Sequence, residues 1–449
     1  MSFPRYPQYK DSGVEWLGEV PEHWEVTGLK WNFAIVGGST PRSENETFWD
    51  GSILWATPGD LSKRDSIFLN DTQRKITQSG LESCGTRLVP GSSIILSTRA
   101  PIGSLAIAAV EMCTNQGCKS LVPGDMADSQ YFAHLLDISS TQLNLRGKGT
   151  TFLELSGDEL GSFKTPVPPL AEQKTIAAFL DRETAKIDEL VAEQERLIEL
   201  LKEKRQAVIS HAVTKGLNPK APMKPSGIEW LGDVPAHWSC GVKLKTLALA
   251  QQASFTNGPF GSDLLTTELQ ETGVPVIYIR DLKVSGYART SSSYVTDIKA
   301  LQLNKFRVDA GDILIAKVGD PPGFCCKYPD TEVPGIICQD VIRMKPDLEL
   351  ISPDFICFLL NSRPGIEAVD SICVELTRKR FSLADLHNLR IALPNRAEQL
   401  QIVRHLQVIS EEFDCLAREA QLGIDLLAER RTALISAAVT GLIDVRKAA

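Results

Sequence analysis

Several stretches of the chain come close to a catalytic motif, and each falls short at a residue the chemistry needs. Asp320-Pro321-Pro322-Gly323-Phe324 has the polar residue and two prolines that hold an extruded adenine for methyl transfer. It places Gly323 where the stacking ring should stand, so it reads as a turn between strands. Phe260-Gly261-Ser262-Asp263 is too sparse for a glycine-rich cofactor loop, and no phosphate loop with its lysine occurs. The carboxylate pairs Asp330-Thr331-Glu332 and Asp347-Leu348-Glu349 lack the neighbouring lysine of a metal-dependent nuclease. The ten cysteines are scattered, and neither Cys113/Cys118 nor Cys325/Cys326 has the two-pair spacing of a zinc site. They read as free thiols in a reducing compartment, with Cys84, Cys118 and Cys357 among apolar or small neighbours. No catalytic residue, no metal and no cofactor is therefore expected in this chain.

The elements that would position any site are written twice. Ser12-Gly13-Val14-Glu15-Trp16-Leu17-Gly18-Glu19-Val20-Pro21-Glu22-His23-Trp24 returns as Ser226-Gly227-Ile228-Glu229-Trp230-Leu231-Gly232-Asp233-Val234-Pro235-Ala236-His237-Trp238. Each half also closes alike. Pro168-Pro169-Leu170-Ala171-Glu172-Gln173 opens a helical stretch ending near Thr214, and Ala397-Glu398-Gln399 opens its counterpart, ending near Thr440. His23 and His237 recur with this frame, which favours a packing or partner role over catalysis. Trp16, Leu17, Trp24, Trp230, Leu231 and Trp238 are assigned to the frame or to a partner surface on the same ground.

Between the frame segments lie two regions that resemble each other faintly. Each has an apolar strand after a glycine, Gly91 to Leu96 and Gly311 to Ala316, then a proline turn before Gly103 or Gly323. The helical stretches show a heptad seam. In the first it runs through Ile176, Leu180, Glu183, Ile187, Leu190, Gln194, Leu197, Leu201, Lys204 and Val208. In the second it runs through Ile402, Leu406, Ile409, Phe413, Leu416, Ala420, Gly423, Leu427, Arg430 and Leu434. Two unlike, interrupted seams in one chain predict that the helices pair with each other. Antiparallel pairing is expected, because the short link from Lys215 to Ser226, with Gly216, Pro219, Pro222 and Pro225, is mimicked by the chain's own end and beginning.

This layout resembles the specificity subunits of type I restriction-modification systems. The likeness rests on the paired Gly-[Val/Ile]-Glu-Trp-Leu-Gly-x-Val-Pro-x-His-Trp motifs, the Pro-Pro-Leu-Ala-Glu-Gln helix start with its second copy, and Gly147-Lys148-Gly149-Thr150-Thr151-Phe152. One departure is Leu393-Pro394-Asn395-Arg396, which stands where the first copy has Val167-Pro168-Pro169-Leu170. The resemblance implies a mixed α+β fold: two globular target-recognition domains, two long antiparallel coiled-coil helices between them, and a pseudo-twofold internal repeat. The implied divisions are frame copy one at 1–26, a recognition domain at 27–165 and a spacer helix at 166–214. A linker with frame copy two at 215–240, a recognition domain at 241–391 and a second helix with tail at 392–449 follow. It further implies double-stranded DNA as ligand, each domain reading half of a split site. Two modification subunits that bind S-adenosylmethionine would be partners, with restriction (translocase) subunits joining them. The chain itself would be non-catalytic.

Phosphate contact needs Arg, Lys and backbone donors, whereas base readout favours Arg on guanine and Asn or Gln on adenine. The candidates in the first domain are Ser39, Thr40, Arg42, Lys63, Arg64, Arg99, Asn115, Gln116, Arg146 and Lys148. In the second they are Arg280, Lys283, Arg289, Lys317, Gln339, Arg378, Lys379 and Arg380. The net charge of −8 excludes a uniformly basic DNA-wrapping surface and leaves room for a local basic face. A leader pattern and an apolar membrane span are both missing, so a cytoplasmic location is expected. Rival readings are a coiled-coil scaffold with protein-binding ends and a free-standing methyltransferase or nuclease. Neither accounts for two unlike β-rich domains in a repeated frame without catalytic motifs.

Overall fold

A computed structural model describes residues 3–62, 66–99, 101–148, 153–374 and 379–446. The fold mixes helices and strands, and the chain divides into two units, Met1–Gln194 with Leu422–Ala449, and Glu195–Gln421. Each unit holds one repeated motif, one β-rich domain and part of both long helices. Those helices run Leu170–Lys215 and Arg396–Val439. Prolines end the strands that precede them, and Glu172 and Glu398 stand in their first turns, where the helix dipole favours an anion.

The repeated motif is a strand, a closed turn and a strand. Tyr9–Asp11 pairs antiparallel with Glu19–Pro21, and Met223–Pro225 with Asp233–Pro235. Each turn begins at a serine whose hydroxyl accepts an amide two residues on, Val14 at 3.1 Å or Ile228 at 3.0 Å. The same serine donates its amide to Gly18 or Gly232, each at 3.0 Å. Those glycines have φ of 63° and 60°, the left-handed region that disfavours a side chain. The serine and glycines therefore recur because the turn needs them.

The two variable domains, faintly alike in sequence, share one core strand order and differ in their edge strands. Phe33–Gly37, Cys118–Pro123, Ile94–Ser97 and Leu105–Ala108 lie in that order in one sheet, with Phe68–Leu69 at its edge. Phe255–Asn257, Val341–Met344, Ile313–Ala316 and Cys325–Lys327 take the same order in the other domain. The apolar strands Ile94–Ser97 and Ile313–Ala316 are wholly buried. A second sheet sets Trp49–Ala56 between parallel Cys113–Thr114 and antiparallel Lys75–Ile76. Its counterpart sets Val274–Ile277 between parallel Gly335–Ile337 and antiparallel Tyr294–Val295. The stretch Asp320-Pro321-Pro322-Gly323-Phe324 is a hairpin turn: Gly323 N bonds Ala316 O at 2.8 Å, and Ala316 N bonds Phe324 O at 2.9 Å.

Within each unit the long helices pack antiparallel. In the first, Ile176 and Leu180 share a core with Ile435, Ala438 and Val439, and Asp188 pairs with Arg431 at 3.3 Å. In the second, Ile209, Ala212 and Val213 share a core with Ile402, Val403 and Leu406, and Arg205 pairs with Asp414 at 3.0 Å. The seam differs from the predicted one along the middle of each helix. Ile176, Leu180, Ile187, Ile402 and Leu406 are buried, and Leu201, Phe413, Leu427 and Leu434 half-buried, but Leu190, Leu197 and Leu416 are 44%, 43% and 48% exposed. Thr184, Val191, Ile198, Arg205 and Ala417 are turned inward instead, each one residue beyond its expected position. One residue turns a helix by about 100°, so reversing the order of three- and four-residue steps moves every second seam position. Polar Thr184 and Arg205 tolerate this because the first bonds Leu180 O at 2.8 Å and the second holds Asp414.

The Glu-Gln pair at each helix start ties three parts together. Glu172 is buried and accepts from Tyr6 Oη at 2.6 Å and Trp24 Nε1 at 3.2 Å, with His23 Nε2 at 2.8 Å. Glu398 repeats this with Trp238 Nε1 at 3.1 Å and His237 Nε2 at 2.8 Å. Gln173 accepts from Asp128 N and donates to Met126 O and Pro168 O, while Gln399 accepts from Ser352 N and donates to Leu350 O and Pro394 O. Glutamate thus anchors the repeated motif, and glutamine anchors the start of one helix of each β-rich domain, Ser129–Ile138 or Pro353–Asn361.

Candidate nucleic-acid interface

In the first domain the loop at residues 37–42 leaves the outer strand and is fixed by its backbone. Ser39 N donates to Thr114 O at 3.0 Å, Trp55 Nε1 to Ser39 O at 3.0 Å, and Trp49 Nε1 to Arg42 O at 3.2 Å. A Cβ on Gly38 would lie 2.0 Å from Asn115 O, so glycine is required for this approach. The Thr40 hydroxyl donates to the Gln116 side-chain oxygen. Asn115 N bonds Ala56 O, and Thr98 N bonds Gly117 O, which sets Arg99 beside the same loops. Arg99 bridges to Glu154, as does Lys148. Ser39, Thr40, Arg42, Arg99, Asn115, Gln116 and Lys148 are thereby gathered on connected loops.

Arg146 departs from them and packs 5.2 Å over the Phe163 ring. Lys63 and Arg64 lie outside the described residues.

The second domain builds the same place from other residues. A Cβ on Gly258 would lie 1.9 Å from Cys338 O, and Cys338 N bonds Ile277 O at 2.9 Å, as Asn115 N bonds Ala56 O. Exposed Gln339 follows Cys338. Lys317 N bonds Asp340 O at 2.9 Å, and Val318 bridges to Arg380. Arg280 sits past the end of the central strand, 4.9 Å over Tyr278, with its Nε on Ser291 Oγ at 2.7 Å. Arg280, Lys317, Gln339 and Arg380 thus converge, and Lys379 beside them pairs with Asp370 at 2.7 Å.

Two candidates point elsewhere. Arg289 is held by Glu332 at 2.7 Å, and Lys283 belongs to the hairpin Leu282–Lys283 with Gly286–Tyr287, whose turn faces a cleft lined by Arg205 and Asp414. Arg378 lies outside the described residues.

Ion pairing grades the cations. Arg99 pairs with Glu154 at 3.1 Å and Lys148 with Glu159 at 2.6 Å, so a phosphate must displace a carboxylate there. Arg42, Lys317 and Arg380 have no carboxylate partner among the described residues.

Two buried carboxylates absent from the sequence-based candidates, Asp60 and Asp281, shape the loops of both candidate sites. Asp60 accepts from Thr57 N and Gln73 N, each at 2.8 Å. Asp281 accepts from Tyr278 N at 2.8 Å, Thr290 N at 2.9 Å and Ser291 N at 2.8 Å. Burial pushes the Asp281 carboxyl up, but these bonds outweigh it and hold it below the usual range. The signal was present: an Asp-Leu pair, Asp60-Leu61 and Asp281-Leu282, follows the central strand in both domains. The frame residues Leu17, Trp24, Leu231 and Trp238 are buried within their own units, while Trp16 is half-buried and stacks on Phe163 at 5.6 Å. Trp230 is half-buried as well.

Among the described residues no group of three His, Cys, Asp or Glu is placed to hold a metal ion, and the ten cysteines are free. Cys118 is buried, with Cys84 and Cys357 half-buried. No helix among them is long and apolar enough to cross a membrane.

Residues 21–200 match the family model of the type I restriction modification DNA specificity domain. The chain is 34% identical over 187 residues to the type I restriction enzyme MjaIX specificity subunit of Methanocaldococcus jannaschii, covering 41% of this chain and 42% of that protein. It is 22% identical over 436 residues to the MjaVIII specificity subunit of the same organism, covering 95% and 94%. A chain solved in a study of complex assembly and conformational transition of the type I R-M system superposes with a TM-score of 0.70 at 16% identity, covering 94% of this chain and 98% of that one. The HsdS subunit from Thermoanaerobacter tengcongensis gives 0.54 at 17% identity, with the same coverage. The resemblance carried by the paired motifs therefore holds in sequence and in fold. Against MjaIX, the chain spans less than half of the relative's length.

Proposed function

We propose that this chain is the DNA-reading subunit of a type I restriction-modification complex and selects the sequence without cutting or methylating it. One observation carries the reading: a frame repeated nearly residue for residue presents two domains of one core strand order whose loops keep the same turns but change most side chains. Gly38 and Gln116 recur as Gly258 and Gln339, whereas Ser39-Thr40 after the first glycine stand against Pro259-Phe260 after the second, and Asn115 stands against Cys338. A repeated frame suits two copies of one partner, and divergent loops suit two different half-sites. In this reading the frame and helices dock two modification subunits, which hold S-adenosylmethionine, and restriction subunits join that core. Helix length would set the spacing of the half-sites, because DNA offers the same groove face once per turn of about 34 Å.

The test is selection from a random duplex library by the chain purified with its neighbouring modification subunit. A split motif, bound with steep salt dependence, supports the reading. Enrichment of no sequence, with an active partner, favours a protein-binding scaffold.

A further inference from the structure

We infer that Arg74, held over the face of the Trp49 indole, is a specificity-determining residue of the first recognition domain and reads a guanine in its half-site. This rests on the functional reading above. The Arg74 guanidinium carbon lies 3.6 Å from the centroid of Trp49 and 6.0 Å from that of Trp55, and the two rings meet edge-on at 5.2 Å. These are the two indoles whose N–H groups bind Arg42 O and Ser39 O. The backbone at Arg74 is fixed from the same side. Its carbonyl accepts from Thr72 Oγ1 at 2.7 Å, and that oxygen accepts from Trp55 N at 3.2 Å. One aromatic pair therefore positions both the loop at 39–42 and an arginine reached from a different strand.

Arg74 is exposed although its ring partner is 6% exposed, and it has no salt bridge among the described residues. Arg99 and Lys148, by contrast, already hold carboxylates. A guanidinium stacked on a ring keeps its donor fork in one plane and loses little freedom on binding. That fork matches guanine O6 and N7 in the major groove, a pairing that a phosphate contact does not need. Lysine in its place would keep the charge and lose both the plane and the fork.

Adenine methylation is to be mapped by single-molecule sequencing in cells making the modification subunit with the wild-type chain, Arg74→Lys or Arg74→Ala. Both variants change an exposed side chain, and methylation of the unaffected half-site reports that the chain still folds and assembles. The expected result is one guanine position of one half-site relaxing to other bases, by roughly 5- to 150-fold in relative methylation, with the other half unchanged. An unchanged motif, methylated uniformly less or equally well, overturns the inference. A wild-type chain that directs no split motif overturns the functional reading and this inference with it.

Discussion

Trp24 donates its indole N–H to Glu172 at 3.2 Å, across 148 residues of chain, and so locks the first repeated motif to the start of the first long helix. Removing the carboxylate with Glu172→Ala strands the buried Tyr6 hydroxyl and the Trp24 N–H, at about 3 kcal/mol for two lost charge-assisted bonds. Glu398→Ala should cost less, about 1–2 kcal/mol, because its side chain is 20% exposed and has no tyrosine partner. Urea unfolding of the two variants checks the order. Equal losses would contradict the anchoring role given to the buried site.

Gly441 and Gly216 end the two long helices with φ of 79° and 74°. An alanine at Gly441 puts its Cβ 2.3 Å from Pro21 and 3.0 Å from Trp24, whereas at Gly216 the nearest atom is 3.3 Å away, on the flexible Glu398 side chain. Gly216→Ala should cost about 1 kcal/mol from backbone strain. Gly441→Ala adds a clash with a rigid ring and should cost about 2–4 kcal/mol in all. Thermal unfolding separates the two.

Burial raises the Asp312 carboxyl to about 6, although the Asp309 amide, Lys345 and Arg343 pull it down. In the window from its ordinary value near 3.8 up to about 6, the unfolded chain has lost this proton and the folded chain keeps it. Stability from this group is therefore present at low pH and falls as pH rises through that window. The stability difference between wild type and Asp312→Asn should change by about 3 kcal/mol across it and stay flat above. A difference that is constant from pH 4 to 7 would contradict this assignment.

Arg42 has no carboxylate partner among the described residues, and Arg289 is held by Glu332 at 2.7 Å. If Arg42 meets a phosphate, Arg42→Ala should lower the slope of log K against log salt by about 1. Arg289→Ala should leave that slope unchanged. Both are read in titrations of the complex with its selected duplex.

The helix boundaries were legible in the sequence because prolines, a first-turn glutamate and a repeated Ala-Glu-Gln mark them locally. The seam register was not, because an apolar residue stands at both alternatives, Leu190 beside Val191 and Leu197 beside Ile198. Tertiary bonds at Thr184 and Arg205 decided between them. Among the candidates, Ser39, Thr40, Arg42, Asn115 and Gln116 are picked out in the sequence by residue type alone. Their meeting depends on the parallel pairing of Cys113 with Trp55, which no local pattern encodes. Arg74 escaped notice for the same reason. Its indole partner stands 25 residues away and is met through strand register.

The central claim is that this chain alone chooses the sequence. Adenine methylation mapped in cells carrying the neighbouring modification subunit, with and without the chain, tests it most directly. A split motif is expected with the chain present and is expected to vanish without it. Methylation at the same motif in both, from a partner shown to be active, would contradict the claim.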